Sequence, residues 1–373
     1  MIAGSREALR DRAAALFFDT YAVSPQSRAV APGRINIIGE HTDYAGGLCL
    51  PAAIDRYLAV ASGPASRIEM VSQGRGAPLT ADATDLRPSG GWADLPLGVL
   101  AELAKDKVPI QMRFAIASEI PPGAGLSSSA ALAVATAIAV LQPLGGRING
   151  YALTRLCQRA ENDFLGVPSG LMDQIAVAHG RRGEALFFNA GIEIFEPVAL
   201  PDDLAFLVVE SGVERSLRAG SYGERQGEAA EALRLARQPH PGLRSLADLE
   251  SPEIEALGLP ETLRRRARHI AGESQRVRLA IACLEAGNVE ALGQLMSTSH
   301  LSLARDYEVS TPELDALVKE AVEAGAAGAR LLGAGFGGSI IAAVEAPHIE
   351  QVAAVLERDH KVHRVVAVDG ALA

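Results

Sequence analysis

Lysine is scarce in this sequence. Only four of the 35 basic residues are lysines, at Lys105, Lys107, Lys319 and Lys361. None of them follows a glycine-rich loop in the way that the P-loop of a Walker-type nucleotide site requires. The sequence therefore excludes a Walker-type NTPase, although it leaves open other ways of binding a nucleotide.

Cysteine is also scarce, and its placement excludes two kinds of site. The three cysteines, Cys49, Cys157 and Cys283, are far apart and odd in number, so they form neither a zinc-binding CxxC pattern nor a disulfide framework. The first residues lack a basic segment followed by an apolar run, and no stretch of about 20 residues is uninterruptedly apolar. We therefore predict a cytoplasmic protein with reduced thiols and with neither signal peptide nor membrane span.

Negative charge predominates, with a formal net charge of −10. This balance argues against a nucleic-acid backbone or an anionic membrane as the main partner, and no feature of the sequence indicates a protein partner. A chain of 373 residues with 48% hydrophobic residues is long for a single core and favours two domains. The polar connection at Asp202 and Asp203 places the predicted domains at 1–200 and 201–373.

One stretch has the composition of a phosphate-binding turn. Residues 120–131 read IPPGAGLSSSAA and lead into an apolar run. Gly123 and Gly125 permit positive φ and carry no Cβ, so the backbone amides can close around an anion. The serines stand where a helix should begin, serine is a favoured N-cap, and the first amides of a helix lack partners of their own. The alternative is a glycine turn before an ordinary capped helix.

A carboxylate for a metal ion is available on a predicted helix over residues 149–164. Glu161 lies at the edge of the apolar stripe of that helix. Mg²⁺ prefers hard oxygen ligands, and in nucleotide sites a serine hydroxyl often supplies one and a carboxylate another. Glu161 is therefore the candidate carboxylate. The alternative, a solvated glutamate at the helix edge, fits the pattern equally well.

A second polar cluster brings Arg34, Glu40, His41 and Asp43 within ten residues. The guanidinium of an arginine matches anionic oxygens, and the other three side chains can bond several hydroxyl groups of a polyol. We interpret the cluster as a binding site for a polyhydroxylated ligand. An ordinary surface loop is the alternative.

Asp173 follows a glycine–proline break and has the apolar neighbours Leu171, Met172 and Ile175. A carboxylate buried among such residues requires a partner, and Arg34 is the obvious one. The alternative is an aspartate that complements the dipole at the start of a helix. A further glycine cluster, Gly333–Gly338, would let the backbone pass close to a ligand, although alone it is weak evidence.

Together these motifs resemble those of a known family. Residues 33–44, GRINIIGEHTDY, resemble the galactokinase signature, and residues 122–130, PGAGLSSSA, are similar to the ATP motif of the wider GHMP kinases, which include homoserine, mevalonate and phosphomevalonate kinases. Residues 333–338 match the third motif of those enzymes. Residues 170–174 and 299–315 are similar to segments of the galactokinase branch. Five motifs in the same order are far more specific than one glycine pattern.

The resemblance implies an α+β, two-domain GHMP kinase fold with the active site in the cleft between the domains. It also implies ATP and Mg²⁺ as cofactors, with Ser129 and Glu161 as the metal ligands and Asp173 and Arg34 as the catalytic pair. The implied ATP-binding residues are Trp92 beside the adenine and, around the phosphates, Gly123, Ala124, Gly125, Leu126, Ser127, Ser128 and Ser129. The implied sugar-binding residues are Glu40, His41, Asp43, Gly170 and Tyr222.

The implied reaction transfers the γ-phosphoryl group of ATP to the anomeric hydroxyl of an aldose, and D-galactose ranks first. Two departures from the family pattern bear on the sugar: Ser169 stands where cysteine is usual, and residues 222–226, YGERQ, replace the common segment Tyr-Asn-x-Arg-Arg. They keep N-acetylgalactosamine, L-arabinose and galacturonate as alternatives.

Two other kinds of protein are less favoured. A non-catalytic galactose sensor is disfavoured by the intact serine–alanine segment at 127–131 and by the presence of Asp173. A kinase for mevalonate or homoserine is disfavoured by the polar cluster at residues 40–43, which suits several hydroxyl groups.

Overall fold

A five-stranded mixed sheet forms the centre of the first part of the chain. The computed structural model describes residues 6–145, 148–213 and 219–373. The strand order is β1-β3-β6-β4-β5, with β4 parallel to β6 and the other neighbours antiparallel. The strands are β1 (Ser27–Asn36), β3 (Pro51–Pro64), β4 (Ile68–Ser72), β5 (Leu79–Ala81) and β6 (Met112–Ser118).

The other strands of the described residues form two smaller antiparallel sheets. A three-stranded sheet has the order β2-β7-β8, and a four-stranded sheet has the order β10-β11-β9-β12. These strands are β2 (Leu48–Cys49), β7 (Glu184–Asn189), β8 (Ile194–Ala199), β9 (Leu204–Glu210), β10 (Gly328–Leu332), β11 (Ser339–Glu345) and β12 (Lys361–Val365). The apolar run of β9 lies between β11 and β12, which is where a nearly continuous hydrophobic strand is expected.

Helices cover the sheets and connect them. The first five are α1 (Arg6–Tyr21), α2 (Asp94–Lys105), α3 (Ser128–Leu141), α4 (Gly150–Arg159) and α5 (Met172–His179). The others are α6 (Ala219–Ala236), α7 (Ser251–Ala256), α8 (Glu261–Glu285), α9 (Val289–Arg305), α10 (Pro312–Glu323) and α11 (Ile349–Leu356). None of the helices in the described ranges is long and apolar enough to cross a membrane.

Helix α3 lies in the middle of the first part of the chain. Its sequence is apolar on all sides, and ten of its 14 residues are buried, as expected for a helix surrounded by other elements. It packs on β1 and β3 on one side and on α2, α4 and α5 on others. This packing fixes the N-terminal end of α3, which carries the three serines, relative to β1 and α5.

The largest apolar core joins both parts of the chain. It contains Ala52 and Ile54 from β3 together with Val208 from β9 and Ile341 from β11. A second core lies among the outer faces of β9 and β11 and the helices that cover them. The division of the chain into domains at residue 200 stays a prediction, because the shared core crosses that point.

Candidate active site

A cavity of about 510 Å³ brings together the motifs that the sequence singled out. It lies where the end of β1, the turn before α3, the segment before α5 and the loop between β10 and β11 meet. The lining includes most of the predicted site residues, namely Arg34, Glu40, His41, Asp43, Gly123, Gly125, Leu126, Ser127, Ser128, Ser129, Glu161, Gly170, Asp173 and Tyr222. Residues 333–336 of the second glycine cluster close another side.

Two residues predicted to bind ATP are not among those that line this cavity. Ala124 is buried in the largest core, and Trp92 packs against the same core as a partly buried side chain. The contact of Trp92 with adenine therefore stays a prediction that the cavity itself does not support.

The glycine–serine turn has the left-handed backbone that its sequence predicts, but its serines do not cap the helix as expected. Gly123 and Gly125 have φ of 76° and 77°, and a Cβ on Gly123 would meet open space rather than protein. Ser127, at the N-cap of α3, also has positive φ, 55°, and its side chain makes no capping bond. Its hydroxyl instead donates to Oδ2 of Asp173. The prediction of a serine cap was wrong because this carboxylate competes for the hydroxyl.

Arg34 and Asp173 form a two-pronged ion pair at the floor of the cavity. Nε of Arg34 donates to Oδ1 at 2.8 Å, and Nη2 donates to Oδ2 at 2.9 Å. Nη1 reaches the carbonyl oxygen of Gly125 at 2.5 Å. The Asp173 side chain is 29% exposed, against 6% for Arg34, so the carboxylate faces the cavity and the guanidinium supports it from behind.

The position of Arg34 follows from a close approach of two backbones. The amide of Arg34 donates to the carbonyl oxygen of Leu126 at 3.1 Å, just after a register shift in β1 between Pro32 and Gly33. A Cβ on Gly33 would lie 2.7 Å from that oxygen, so only glycine fits there. Burial alone would lower the pKa of Arg34, but Asp173 and Glu40 outweigh burial and raise the pKa, which keeps the guanidinium charged.

Asp43 lies beside Asp173 and is held close to the segment before α5. Its Oδ2 accepts from the amide of Met172 at 3.4 Å, and a Cβ on Gly170 would overlap the carboxylate. Burial, and next the charge of Asp173, raises the pKa of Asp43 to about 7. The cavity therefore holds a carboxyl group that changes charge near neutral pH, at the place where the sequence predicts contact with a sugar.

Glu40 is buried and connects three parts of the chain. Its Oε2 accepts from Asn36 at 3.1 Å, and its Oε1 accepts from the Gly333 amide at 2.6 Å and from Arg330 at 3.4 Å. Burial would raise the pKa of Glu40, but Arg330 and Arg34 outweigh it, so the pKa lies below its ordinary value. Glu40 thus presents a fixed negative charge to the cavity and also attaches the second glycine cluster to β1.

His41 lies within an aromatic cluster and has partners at both ring nitrogens. Nε2 lies 3.1 Å from the carbonyl oxygen of Ala334, and Nδ1 lies 2.9 Å from the hydroxyl of Tyr44. A carbonyl oxygen only accepts, so Nε2 carries the proton and Tyr44 donates to Nδ1. The Tyr44 hydroxyl is also 2.8 Å from that of Tyr307, and the Tyr222 ring lies 5.6 Å from His41. A sugar hydroxyl bonded to His41 would have to displace one of these partners.

Glu161 does not lie at a solvated helix edge. The predicted helix ends at Arg159 and continues as a π-helical turn, Ala160–Phe164, which carries Glu161 into the interior. Such turns widen the backbone locally and often occur at functional sites. Burial, and next the charge of Asp173, raises the pKa of Glu161, although hydrogen bonds from Ser169, Ser129 and Gln174 oppose the rise.

The sequence motifs did not identify every residue of the site. Arg330, in the apolar strand β10, is fully buried and donates to the carbonyl oxygens of Ile37 and Asn36 as well as to Glu40. A lone arginine in an apolar strand next to a glycine cluster was the signal that could have identified it. Tyr44 and Tyr307 lie within the family-like motifs, but no binding role was predicted for them, because their spacing in the sequence does not show that their hydroxyl groups meet.

Comparisons with known proteins identify the family of the chain. The galactokinase galactose-binding signature matches residues 15–64, the GHMP kinases N terminal domain matches residues 94–181, and the GHMP kinases C terminal matches residues 280–362. A galactokinase from Thermococcus kodakarensis is 39% identical over 319 residues, which cover 85% of this chain and 89% of that protein. A galactokinase from Roseiflexus sp. is 40% identical over 358 residues, 92% of this chain and 88% of that one.

Solved structures show the same relationship. The structure of Lactococcus lactis galactokinase complexed with galactose is similar to this one with a TM-score of 0.87 at 30% identity, over 98% of both chains. The mevalonate kinase of Methanococcus jannaschii shares the fold, with a TM-score of 0.67 at 20% identity. The predicted α+β GHMP kinase fold is thereby confirmed, and the chain belongs to the galactokinase family of the GHMP kinases.

Proposed function

We propose that this protein is an ATP-dependent galactokinase, an enzyme that transfers the γ-phosphoryl group of ATP to the anomeric hydroxyl of D-galactose and forms galactose 1-phosphate. The observation that carries the proposal is the Arg34–Asp173 pair, which faces a cavity lined both by the galactokinase signature and by the glycine–serine turn. The full-length similarity to galactokinases from several organisms supports the same activity.

In this proposal Asp173 accepts the proton of the anomeric hydroxyl while the oxygen of that hydroxyl attacks the γ-phosphorus of ATP. The bond between that phosphorus and the bridging oxygen to the β-phosphate breaks, and ADP leaves with the electron pair. Arg34 fixes both oxygens of Asp173, and the Ser127 hydroxyl fixes one of them. This orientation supports a positioned base, because acid–base catalysis requires the acceptor within hydrogen-bond reach of the proton that moves.

The phosphate groups of ATP are proposed to bind at the turn before α3. Gly123 and Gly125 leave the backbone accessible there, and the amides at the start of a helix lack intrahelical partners and favour anions. Residues 123–129 would hold the phosphates in line with the sugar oxygen. Positioning and electrostatic stabilisation supply most of the catalysis in phosphoryl transfer.

Ser129 and Glu161 are proposed to hold Mg²⁺ together with phosphate oxygens. The donor set fits this ion, since Mg²⁺ usually takes one or two carboxylates and otherwise relies on phosphates and water. Burial and the charge of Asp173 both raise the pKa of Glu161, and a bound cation would offset both effects. When bound, Mg²⁺ would neutralise charge on the phosphate oxygens. Among the described residues, His, Cys, Asp and Glu form no group of three that could hold a metal alone, which agrees with a site completed by ATP.

The sugar is proposed to contact Glu40, His41, Asp43, Gly170 and Tyr222, all of which line the cavity. Glu40 and Asp43 differ in charge behaviour, because Glu40 stays ionised while Asp43 changes charge near pH 7. Polar groups placed for one pattern of hydroxyls reject epimers that leave them unpaired. The similarity to galactokinases over most of the chain supports D-galactose ahead of N-acetylgalactosamine, L-arabinose or galacturonate.

Two further parts of the proposal concern the whole chain. We infer a cytoplasmic enzyme, a setting in which the free thiols of Cys49, Cys157 and Cys283 would stay reduced. We also place the domain boundary at residues 200–201, in the connection between β8 and β9, where Asp202 and Asp203 lie.

A coupled assay of ADP release tests the proposed function. Wild-type protein and Asp173→Asn are compared with Mg·ATP and a panel of aldoses. We expect turnover with D-galactose and a loss of about 10²- to 10⁴-fold in the variant, the usual contribution of a catalytic base. Turnover with another aldose alone would change the substrate, whereas ATP binding without turnover on any sugar would contradict the kinase assignment.

A further inference from the structure

Glu161 is held by two side chains that the proposed mechanism does not use. The Ser169 hydroxyl donates to its Oε2 at 2.9 Å, and Nε2 of Gln174 donates to the same oxygen at 2.7 Å. Neither donor bonds Oε1 in this arrangement. Ser129, the other proposed metal ligand, also hydrogen-bonds Glu161.

The orientation of the Gln174 side-chain amide is set by its hydrogen bond to Glu161. Gln174 is fully buried, and a carboxylate can only accept, so its NH₂ group must face Glu161. Its carbonyl oxygen has no partner among the residues that the structure describes. Burying an amide with an unsatisfied oxygen is unfavourable for folding. The bond to Glu161 is therefore the feature of the site that accounts for a glutamine at this position.

The backbone of Ser169 is held in place by hydrogen bonds to the Asn162 side chain. Asn162, the neighbour of Glu161 in the π-helical turn, accepts from the Ser169 amide at 2.8 Å and donates to its carbonyl oxygen at 3.2 Å. The Ser169 hydroxyl has one proton and two acceptors in range, Glu161 and Asn162. Because Asn162 already accepts from the amide, donation to Glu161 leaves both acceptors satisfied.

We propose that Ser169 and Gln174 are positioning residues for the divalent cation that accompanies ATP. By sharing Oε2 of Glu161, they fix the orientation of the carboxylate and its other oxygen, and so set the affinity of the site for the cation. The inference rests on the proposed function in one respect, the assignment of Glu161 as the metal carboxylate. Groups that orient a metal ligand in this way typically contribute 10- to 100-fold to metal affinity.

The test measures nucleotide binding with and without metal, by calorimetry with the non-hydrolysable analogue β,γ-imido-ATP. The ratio of the Kd in EDTA to the Kd in saturating Mg²⁺ reports what the metal adds. We expect Ser169→Ala and Gln174→Met each to lower this ratio by about 10-fold, while the Kd in EDTA changes less than about twofold. Ser169→Cys, which retains a weaker donor, should fall between serine and alanine.

A matched control is Ser62→Ala. Ser62 is buried like the site residues, and its hydroxyl donates to the carbonyl oxygen of Ala139 at 2.8 Å, outside the cavity. Its loss should lower the melting temperature without altering the ratio. Equal weakening of both Kd values in Ser169→Ala and Gln174→Met would indicate structural damage and would overturn the inference, as would an unchanged ratio in both variants.

A variant of the metal carboxylate itself separates this inference from the proposed function. Glu161→Gln should reduce the ratio of Kd values at least as much as the positioning variants do. An unchanged ratio in Glu161→Gln would refute the inference, whereas the proposed function would still stand if the wild type phosphorylates galactose. If the wild type shows the metal-dependent ratio but does not phosphorylate galactose, the proposed function fails and the inference stands.

Discussion

The carboxylate of Asp43 occupies the space in which a side chain at position 170 would lie. This contact joins the first polar cluster to the segment that carries Asp173, although the two are far apart in the chain. A side chain at position 170 would therefore have to displace Asp43, a purely steric requirement, since the Gly170 backbone is not in the left-handed region. The contact also means that the geometry of Asp43 depends on a residue that has no side chain of its own.

We expect Gly170→Ala to displace Asp43 and to raise the KM for galactose by at least about 10-fold, because misplaced polar groups leave substrate hydroxyls unpaired. The KM for ATP should change little. Steady-state ADP release with each substrate varied in turn measures both values. Gly227→Ala is the matched control, because a Cβ there meets open space within α6. An unaltered KM for galactose in Gly170→Ala would contradict the steric role of the glycine.

Asp43→Asn should stabilise the folded protein, and more so at high pH. The pKa of Asp43 is about 7 in the folded chain against an ordinary 3.8, so the unfolded chain loses this proton first. Stability present at low pH is therefore lost as the pH rises through 7, by up to about 4 kcal/mol. The asparagine stays neutral and avoids this loss.

Thermal melting at pH 5 and pH 8 measures the effect. The gain in melting temperature from Asp43→Asn should be larger at pH 8 than at pH 5. Asp19→Asn, which alters an exposed aspartate on α1, serves as the control and should shift the melting temperature equally at both pH values. An equal gain at pH 5 and pH 8 would contradict the prediction, because it would show that Asp43 is ionised at both pH values.

Arg34→Lys should reduce kcat by about 10²-fold or more, although it keeps the positive charge. A lysine ammonium cannot make the two-pronged contact with Asp173 and also reach Gly125, and a shift of about 1 Å at the reacting group is enough for such a loss. Arg28→Lys, on the same strand but 47% exposed at its side chain, is the control. Stopped assays at saturating substrates provide kcat, and a near-normal value would show that charge alone suffices.

Arg330→Met should destabilise the protein by about 3 to 5 kcal/mol, because it leaves the buried charge of Glu40 without the arginine that forms its ion pair. Urea unfolding measures this change. In the double variant with Glu40→Gln, part of the loss should be recovered, since no unpaired charge remains. Arg182→Met, at a side chain that is 76% exposed, should be close to neutral. Additive effects of Glu40→Gln and Arg330→Met would argue against their coupling.

The sequence predicted the parts of the site that depend on local chemistry. The glycine turn, the approach of Arg34 to Asp173 and the apolar helix α3 each follow from residue types and spacing. The ion pair was predictable because a carboxylate flanked by Leu171 and Met172 needs a cation, and Arg34 was the arginine already placed among polar site residues.

Other parts depend on contacts that spacing does not report. Glu161 is buried within the π-helical turn Ala160–Phe164, whereas α-helical periodicity places it at the helix edge and cannot show such a widening of the backbone. Strand β1 extends as far as Asn36 because its hydrogen bonds come from β3, a partner that the spacing of residues within β1 does not report. Likewise, Ser127 lost its expected capping role to Asp173, a residue 46 positions away.

The hydrogen bonds of Glu40 make substitutions at this position structurally more costly than substitutions elsewhere around the cavity. Because its carboxylate also binds Asn36, Arg330 and the Gly333 amide, a replacement at position 40 alters the attachment of a loop as well as the proposed contact with a sugar hydroxyl. Tyr222 and Gly223 line the cavity from α6, where a change of side chain leaves the bonds of Glu40 in place. A lineage drifting towards another aldose would therefore accumulate its changes on α6 and keep Glu40 constant.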